Sequence, residues 1–215
     1  ISFLESYKNE SNLLDAVADA EELIARSDRV TSQLLNAAKR LKIVVRAGAG
    51  YNNLDLQTFS ERNVVAMNTP GQNSNAVAEL AFSMMLYQAR GGFGGGSGTE
   101  LRGKTLGLHA FGNVARYMTE IAGGFGMSIS AFDPFVNDEV FSEFKVKRCN
   151  TPEELFSSCQ YVSLHIPAND KTRKSVGYDI LSMMPAGAVL INTARKEIID
   201  EDGLQKIFAE RPDFK

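Results

Sequence analysis

The stretch LGLHAFGNVARYM, Leu106–Met118, decides how this chain is read. An apolar run ends in a short turn, and a helical pattern begins at once. Strand, tight turn and helix in that order open a βαβ unit. Where such a turn usually carries G-x-G-x-x-G, this one reads Ala110-Phe111-Gly112-Asn113-Val114-Ala115, so only the middle glycine is present.

Outward from that stretch, short β-branched runs alternate with helical patterns. Strands are expected at Ser2–Ser6, Leu23–Arg26, Ile43–Arg46, Val64–Asn68, Thr105–His109, Ser128–Phe132, Val146–Arg148, Val162–Ile166 and Ala188–Asn192. Helical patterns lie between them, among them Asn12–Ala18, Thr31–Arg40 and Leu54–Arg62. Strands separated by helices predict an α/β fold, a parallel sheet with helices on both faces. Near-continuous apolar runs such as KIVV and AVLIN suit strands buried on both faces.

The composition shifts at RGGFGGGSGTELRG, Arg90–Gly103, where six of the eight residues Gly91–Gly98 are glycine. Such a run cannot hold an interior helix or strand, so a boundary is expected there. The preceding helix, Ser74–Ala89, is apolar on most faces. It is therefore expected to be buried, as a core helix or at a junction. With 44% apolar and 23% charged residues the chain has the composition of an ordinary globular protein. A net charge of −3 does not point to nucleic acid or a membrane surface. No run is long enough to cross a bilayer. Cys149 and Cys159 make no disulfide framework, and they read as small apolar fillers. No histidine or carboxylate cluster has metal-ligand spacing, so no metal is expected. No secretory signal is recognised, and the cytoplasm is the expected compartment.

A dinucleotide loop needs a residue that lets the backbone approach the pyrophosphate, a helix that begins immediately, and an acid about 20 residues on. Gly112 supplies the first. Ala115 is small enough for helix–strand packing. Asp133, in SISAFDP, supplies the acid and favours NAD over NADP, since a carboxylate repels a 2′-phosphate. Ala110 suits the first position if that residue keeps a negative φ. Asn113 adds no charge. The plain alternative is an α/β turn that binds nothing.

Five motifs occur in order: VVRAGAGYNNLDL (Val44–Leu56), NTPGQNSNAVAEL (Asn68–Leu80), ELRGKTLGLHAFGNVAR (Glu100–Arg116), VSLHIP (Val162–Pro167) and VLINTAR (Val189–Arg195). With them the chain resembles the D-isomer-specific 2-hydroxyacid dehydrogenases, most closely the short-type phosphoglycerate dehydrogenases. The resemblance covers nearly the whole chain. It implies two doubly wound parallel-sheet domains. Residues 1–90 would be a flavodoxin-like substrate domain without its first strand. Residues 91–215 would be a Rossmann NAD-binding domain without its C-terminal part. It also implies a homodimer held through the nucleotide domains, with Ser74–Ala89 near the junction.

Oxidising a 2-hydroxy acid takes a cation on the carboxylate, a base for the hydroxyl proton, and a nicotinamide at C2. A guanidinium grips a carboxylate with two parallel N–H bonds. Arg195, after the strand of VLIN, lies where open α/β sheets bind ligands. The resemblance makes it the residue that grips and polarises the substrate. Arg26, Ser27, Arg46 and Asn73 would hold a phosphorylated substrate, with the amides of Ala47, Gly48 and Ala49 facing its carboxylate. The cofactor would meet Ala110, Gly112, Asn113, Val114, Asp133, His165, Pro167, Thr172, Thr193 and Ala194. For Thr172 a plain loop role is an equal reading.

Neither histidine is assigned as the base. His109 reads as a satisfied structural histidine and His165 as a lining residue. The resemblance places the base and its glutamate beyond residue 215. Glu197 and Glu201 lie too early to match that glutamate, and both are expected to be exposed, Glu201 in the first turn of the last helix. Lys196 and Glu197 stand where the family has glycines, and would be strained at positive φ. The implied reaction is NAD-dependent oxidation of 3-phospho-D-glycerate to 3-phosphohydroxypyruvate, the first step of serine synthesis. The alternatives are a glyoxylate or hydroxypyruvate reductase, or a non-enzymatic NAD-sensing module of the corepressor kind.

Overall fold

The computed structural model describes residues 1–215, which divide into two units, Ile1–Asn73 and Ser74–Lys215. In the first unit helices and strands alternate: α1 (Glu10–Val17), β1 (Glu22–Ala25), α2 (Ser32–Ala37), β2 (Ile43–Arg46), α3 (Leu56–Glu61) and β3 (Val65–Asn68). All pairing is parallel in the order β1-β2-β3, with Glu22 beside Ile43 and Ile43 beside Val65. Thr31 accepts from Leu34 N and Asp55 from Thr58 N. Each satisfies a first-turn amide that the helix itself leaves free, which fixes where α2 and α3 begin. Leu34, Leu35, Val44 and Phe59 form the centre of this unit's core.

The second unit runs α4 (Ser74–Ala89), β4 (Thr105–His109), α5 (Asn113–Gly124), β5 (Ser128–Phe132), α6 (Asp138–Glu143), β6 (Lys147–Arg148), α7 (Pro152–Ser158), β7 (Tyr161–Leu164), α8 (Tyr178–Ser182), β8 (Val189–Asn192) and α9 (Glu201–Glu210). Its five parallel strands lie in the order β6-β5-β4-β7-β8. The chain winds outward from β4 to β6, then returns to the other side of β4 for β7 and β8. Alternate residues of each strand serve two cores. One joins Leu106 and Leu108 to Ala81, Met85, Ala115 and Met118. The other joins Val162 and Leu164 to Leu155, Phe156 and Leu181. Both sheet faces are covered, as the unbroken apolar runs required.

Several expectations are corrected. Ser2–Ser6 forms no strand and lies exposed; β1 is the edge of its sheet, and the segment pairs with nothing. α2 stops at Ala37, where Ala38 leaves helical geometry at ψ 71°. α4 is buried along one face, through Ser74, Ala78, Ala81, Phe82, Met85 and Ala89. Leu80, Met84 and Tyr87 on its other side are 55%, 39% and 50% exposed. Its buried face packs on α5 and β8, so the two compact units part at the start of α4. The sequence had put a boundary at its end.

Candidate nucleotide and substrate site

In an open α/β sheet, ligands bind beyond the strand C-termini where the winding reverses. Here that point lies between β4 and β7. The ends of both strands, the start of α5, and the segments after β5 and β8 converge on it. These carry the residues expected to meet a cofactor.

At the turn after β4, Gly112 caps α5 with φ −82° and ψ −164°. That backbone suits any residue. A Cβ there would meet nothing within 4 Å, so glycine leaves open space in front of the helix. The first amides of α5 have no helical acceptor, no side chain caps them, and no acidic residue stands in the first turn. This is the donor set of an anion site. Asn113 is exposed, Val114 half-buried and Ala115 fully buried.

The left-handed bend falls on Ala110, at φ 78°. The condition under which alanine suited this position, a negative φ, is therefore not met, because the chain must leave the β4 ladder and turn into α5 within three residues. Ala110 N still donates to Phe132 O, at 2.9 Å. The next amide, Phe111 N, donates to Asp133 Oδ2 at 2.9 Å, and Phe135 N donates to Asp133 Oδ1 at 2.9 Å. Phe111 was not singled out in the sequence. Its ring is fully buried, stacked on Phe141 at 5.0 Å and edge-on to Phe144 at 5.7 Å. The only sequence signal was an aromatic inside a glycine turn.

At the C-terminal ends of β4 and β7 are polar atoms that are buried without a partner: His109 Nδ1, His165 Nε2 and, inside β7, Ser163 Oγ. His109 is 7% exposed, wedged against Phe132 and Phe156. It is therefore buried but not satisfied, contrary to expectation. Burial lowers its pKa to about 4, against the pull of Asp133 and Glu153. Burial, then the neighbouring His109, also holds His165 down to about 4. Both rings are neutral at neutral pH. Such orphaned groups suit polar ligand atoms, since leaving them unpaired costs stability.

After β8, Thr193 Oγ1 is likewise buried and unpartnered. Asn192, which sequence reading missed, shapes this loop: Nδ2 donates to Arg195 O at 3.0 Å, and Oδ1 accepts from Ala194 N at 3.0 Å. Arg195 is exposed and its Nη1 donates to Ala194 O at 2.8 Å. Lys196–Ile198 form a single 3-10 turn at negative φ, so the residues in place of glycines carry no strain. Glu197 is half-buried, which departs from the expectation, while Glu201 is exposed in the first turn of α9. The Thr172 hydroxyl donates to Pro167 O at 2.5 Å and accepts from Asn169 N at 2.9 Å. It is engaged within its own loop. Cys149 and Cys159 are buried, and burial pushes the Cys149 thiol up to about 11. No group of histidine, cysteine and carboxylate side chains could hold a metal.

In the first unit Arg26 and Ser27 are exposed after β1, and Asn73 is exposed. Arg46 ends β2, its guanidinium lying where a Cβ on Gly48 would be, with Nε buried and unpartnered. Ala47 N donates to Ala25 O and Gly48 N to Arg46 O, both at 2.8 Å. Two of the three amides expected to face a carboxylate are thus engaged, Ala47 because the β1–β2 ladder runs one residue past the strand and Gly48 because the chain turns tightly back on Arg46. Asn68 Nδ2 braces this loop by donating to Ala49 O at 2.8 Å.

With this geometry in view, comparison places the chain. Residues 60–212 match the model of the D-isomer-specific 2-hydroxyacid dehydrogenase NAD-binding domain. The chain belongs to this family. It is 32% identical over 212 residues to D-3-phosphoglycerate dehydrogenase of Methanocaldococcus jannaschii, covering 92% of this chain and 40% of that protein. It is 35% identical over 206 residues to hydroxypyruvate reductase of Thermotoga maritima, covering 89% of this chain and 66% of that one. The solved structure of NAD+-bound 3-phosphoglycerate dehydrogenase from Entamoeba histolytica superposes with a TM-score of 0.86 at 43% identity, over 97% of this chain and 67% of the other. The chain thus spans 40% of the first of these relatives. The match to the NAD-binding domain agrees with the site: an uncapped α5, an open approach at Gly112, and unpartnered polar atoms around them. No helix is long and apolar enough to cross a membrane.

Proposed function

We propose that this chain belongs to an enzyme that oxidises 3-phospho-D-glycerate at C2 with NAD, the first step of serine synthesis. One observation carries the reading: the donor set of an anion site stands at the winding reversal of a sheet whose sequence matches the family's NAD-binding domain. The substrate assignment rests on the 43% identity to the Entamoeba histolytica enzyme. NAD, when bound, supplies the hydride acceptor. Gly112 and the first amides of α5 take the pyrophosphate, and Asp133 stands ready for the ribose hydroxyls. His165, Thr193 and Ala194 line the other side, where His165 Nε2 and Thr193 Oγ1 find partners in the ligand. Arg195 leaves its contact with Ala194 O to grip the substrate carboxylate. Arg26, Arg46 and Asn73 supply charge and hydrogen bonds for a phosphorylated substrate. The protein works as a cytoplasmic homodimer in this reading.

The test measures NADH formation with 3-phosphoglycerate, glycerate and D-lactate, for the natural protein and its Arg26→Ala variant. Strong preference for the phosphorylated acid, lost in the variant, supports the assignment. Equal rates with glycerate and phosphoglycerate refute it. The similarity to the Thermotoga maritima enzyme favours hydroxypyruvate reduction as the second reading, which NADH consumption with hydroxypyruvate checks.

A further inference from the structure

The loop after β4 makes its left-handed bend without glycine. Five non-glycine residues have positive φ: Asn63, Phe93, Ala110, Lys145 and Lys174. Of these only Ala110 is not exposed. An L-residue in this region is strained, because its Cβ crowds the neighbouring carbonyl. Such strain persists only where the surroundings over-determine it. On the N-terminal side the β4–β5 ladder holds Ala110 N on Phe132 O. On the C-terminal side the hold comes from Phe111. Its ring is locked between Phe141 and Phe144, with the Arg116 guanidinium over both Phe111 and Phe144, at 5.9 and 5.6 Å. Its amide is fixed by the Asp133 carboxylate. A bond to a charged acceptor is roughly twice as strong as a neutral one.

We propose that Asp133 is a positioning residue of this loop: its carboxylate holds the peptide after Ala110 in the bend that presents Gly112 and the α5 amides to an anion. The role is separate from any contact with ribose. It deepens the NAD reading and rests on it for its functional consequence. The carboxylate does the work a first glycine would do. Without the charge, the alanine bend relaxes and the anion site is weakened with it.

A double-mutant cycle with Asp133→Asn and Ala110→Gly tests this, because interacting residues give non-additive effects. Glycine adopts the bend without strain, so the loop no longer needs the carboxylate. With Ala110 in place, Asp133→Asn is expected to weaken NAD binding roughly ten-fold or more, the worth of one charge-assisted hydrogen bond. With Ala110→Gly also present, the same change costs at least about three-fold less. Equal losses in the two backgrounds would leave Asp133 a ribose contact only and overturn the proposal. The melting temperature without ligand is measured for the same four proteins, and the same rescue is expected. If the natural protein binds no NAD, the NAD reading fails while the melting cycle still decides the positioning role. Asp133→Glu, which keeps the charge and moves the acceptor, runs the cycle if Asp133→Asn does not fold.

Discussion

Replacing Gly112 by alanine separates what the fold needs at this position from what a ligand needs. At φ −82° the backbone does not demand glycine, and the new Cβ touches no protein atom within 4 Å. Losing a glycine reduces the freedom of the unfolded chain and stabilises by about 0.4–1 kcal/mol. Alanine is a poorer residue than glycine at a helix start, by a roughly similar amount. The two effects nearly cancel. Since 1 kcal/mol moves the midpoint of a chain this size by about 2–4 °C, the melting temperature should stay within about 2 °C. Binding responds differently. The methyl occupies the open space in front of α5, so a pyrophosphate is held off the helix amides. Losing one hydrogen bond to a charged group is worth roughly 1.5–3 kcal/mol, which is ten-fold to about 150-fold in Kd. Calorimetric titration with NAD and a thermal melt followed by circular dichroism check both halves. A Kd within three-fold of the natural protein would show that the open space is not where the ligand lies. A midpoint lowered by much more than 2 °C would show that the fold itself requires the glycine.

Acid should weaken the fold through its two histidines. Both have folded pKa values lowered to about 4 from the usual 6.5. The unfolded chain therefore takes up protons first as pH falls. Stability is full above pH 6.5, falls between 6.5 and 4, and falls no further from this source below that. The loss between pH 7 and pH 5 is about 2 kcal/mol per histidine. Urea unfolding at the two pH values measures it, and His109→Gln should remove about half. Asp213, held down to about 2 chiefly by Arg211, gives up its contribution only at lower pH and leaves this window clear. At the other end of the site, Asn192→Ala removes both bonds that shape the loop carrying Arg195. Turnover should fall at least ten-fold with little change in NAD affinity, as expected when a gripping residue loses its position. An unchanged kcat would mean that Arg195 finds its place without Asn192.

Ile43–Arg46, Thr105–His109, Ser128–Phe132 and Ser74–Ala89 were legible in the sequence to the residue. Their apolar runs and the turn residues between them are local signals, and local signals set which elements form. The placing of Gly112 before a helix and of Asp133 after a strand was legible for the same reason. The strand order, and with it the winding reversal, was decided by tertiary packing, because pairing between distant strands leaves no mark in either strand alone. The same holds for the bend at Ala110. Nothing in the turn's own residues calls for a left-handed alanine; the β4–β5 ladder, the Asp133 carboxylate and the buried Phe111 ring impose it from outside. The engaged amide of Ala47, and the unpartnered atoms of His109, His165 and Thr193, belong to the same class. Whether a polar group is satisfied depends on which distant atoms the fold brings within hydrogen-bond reach, and only the folded chain settles that.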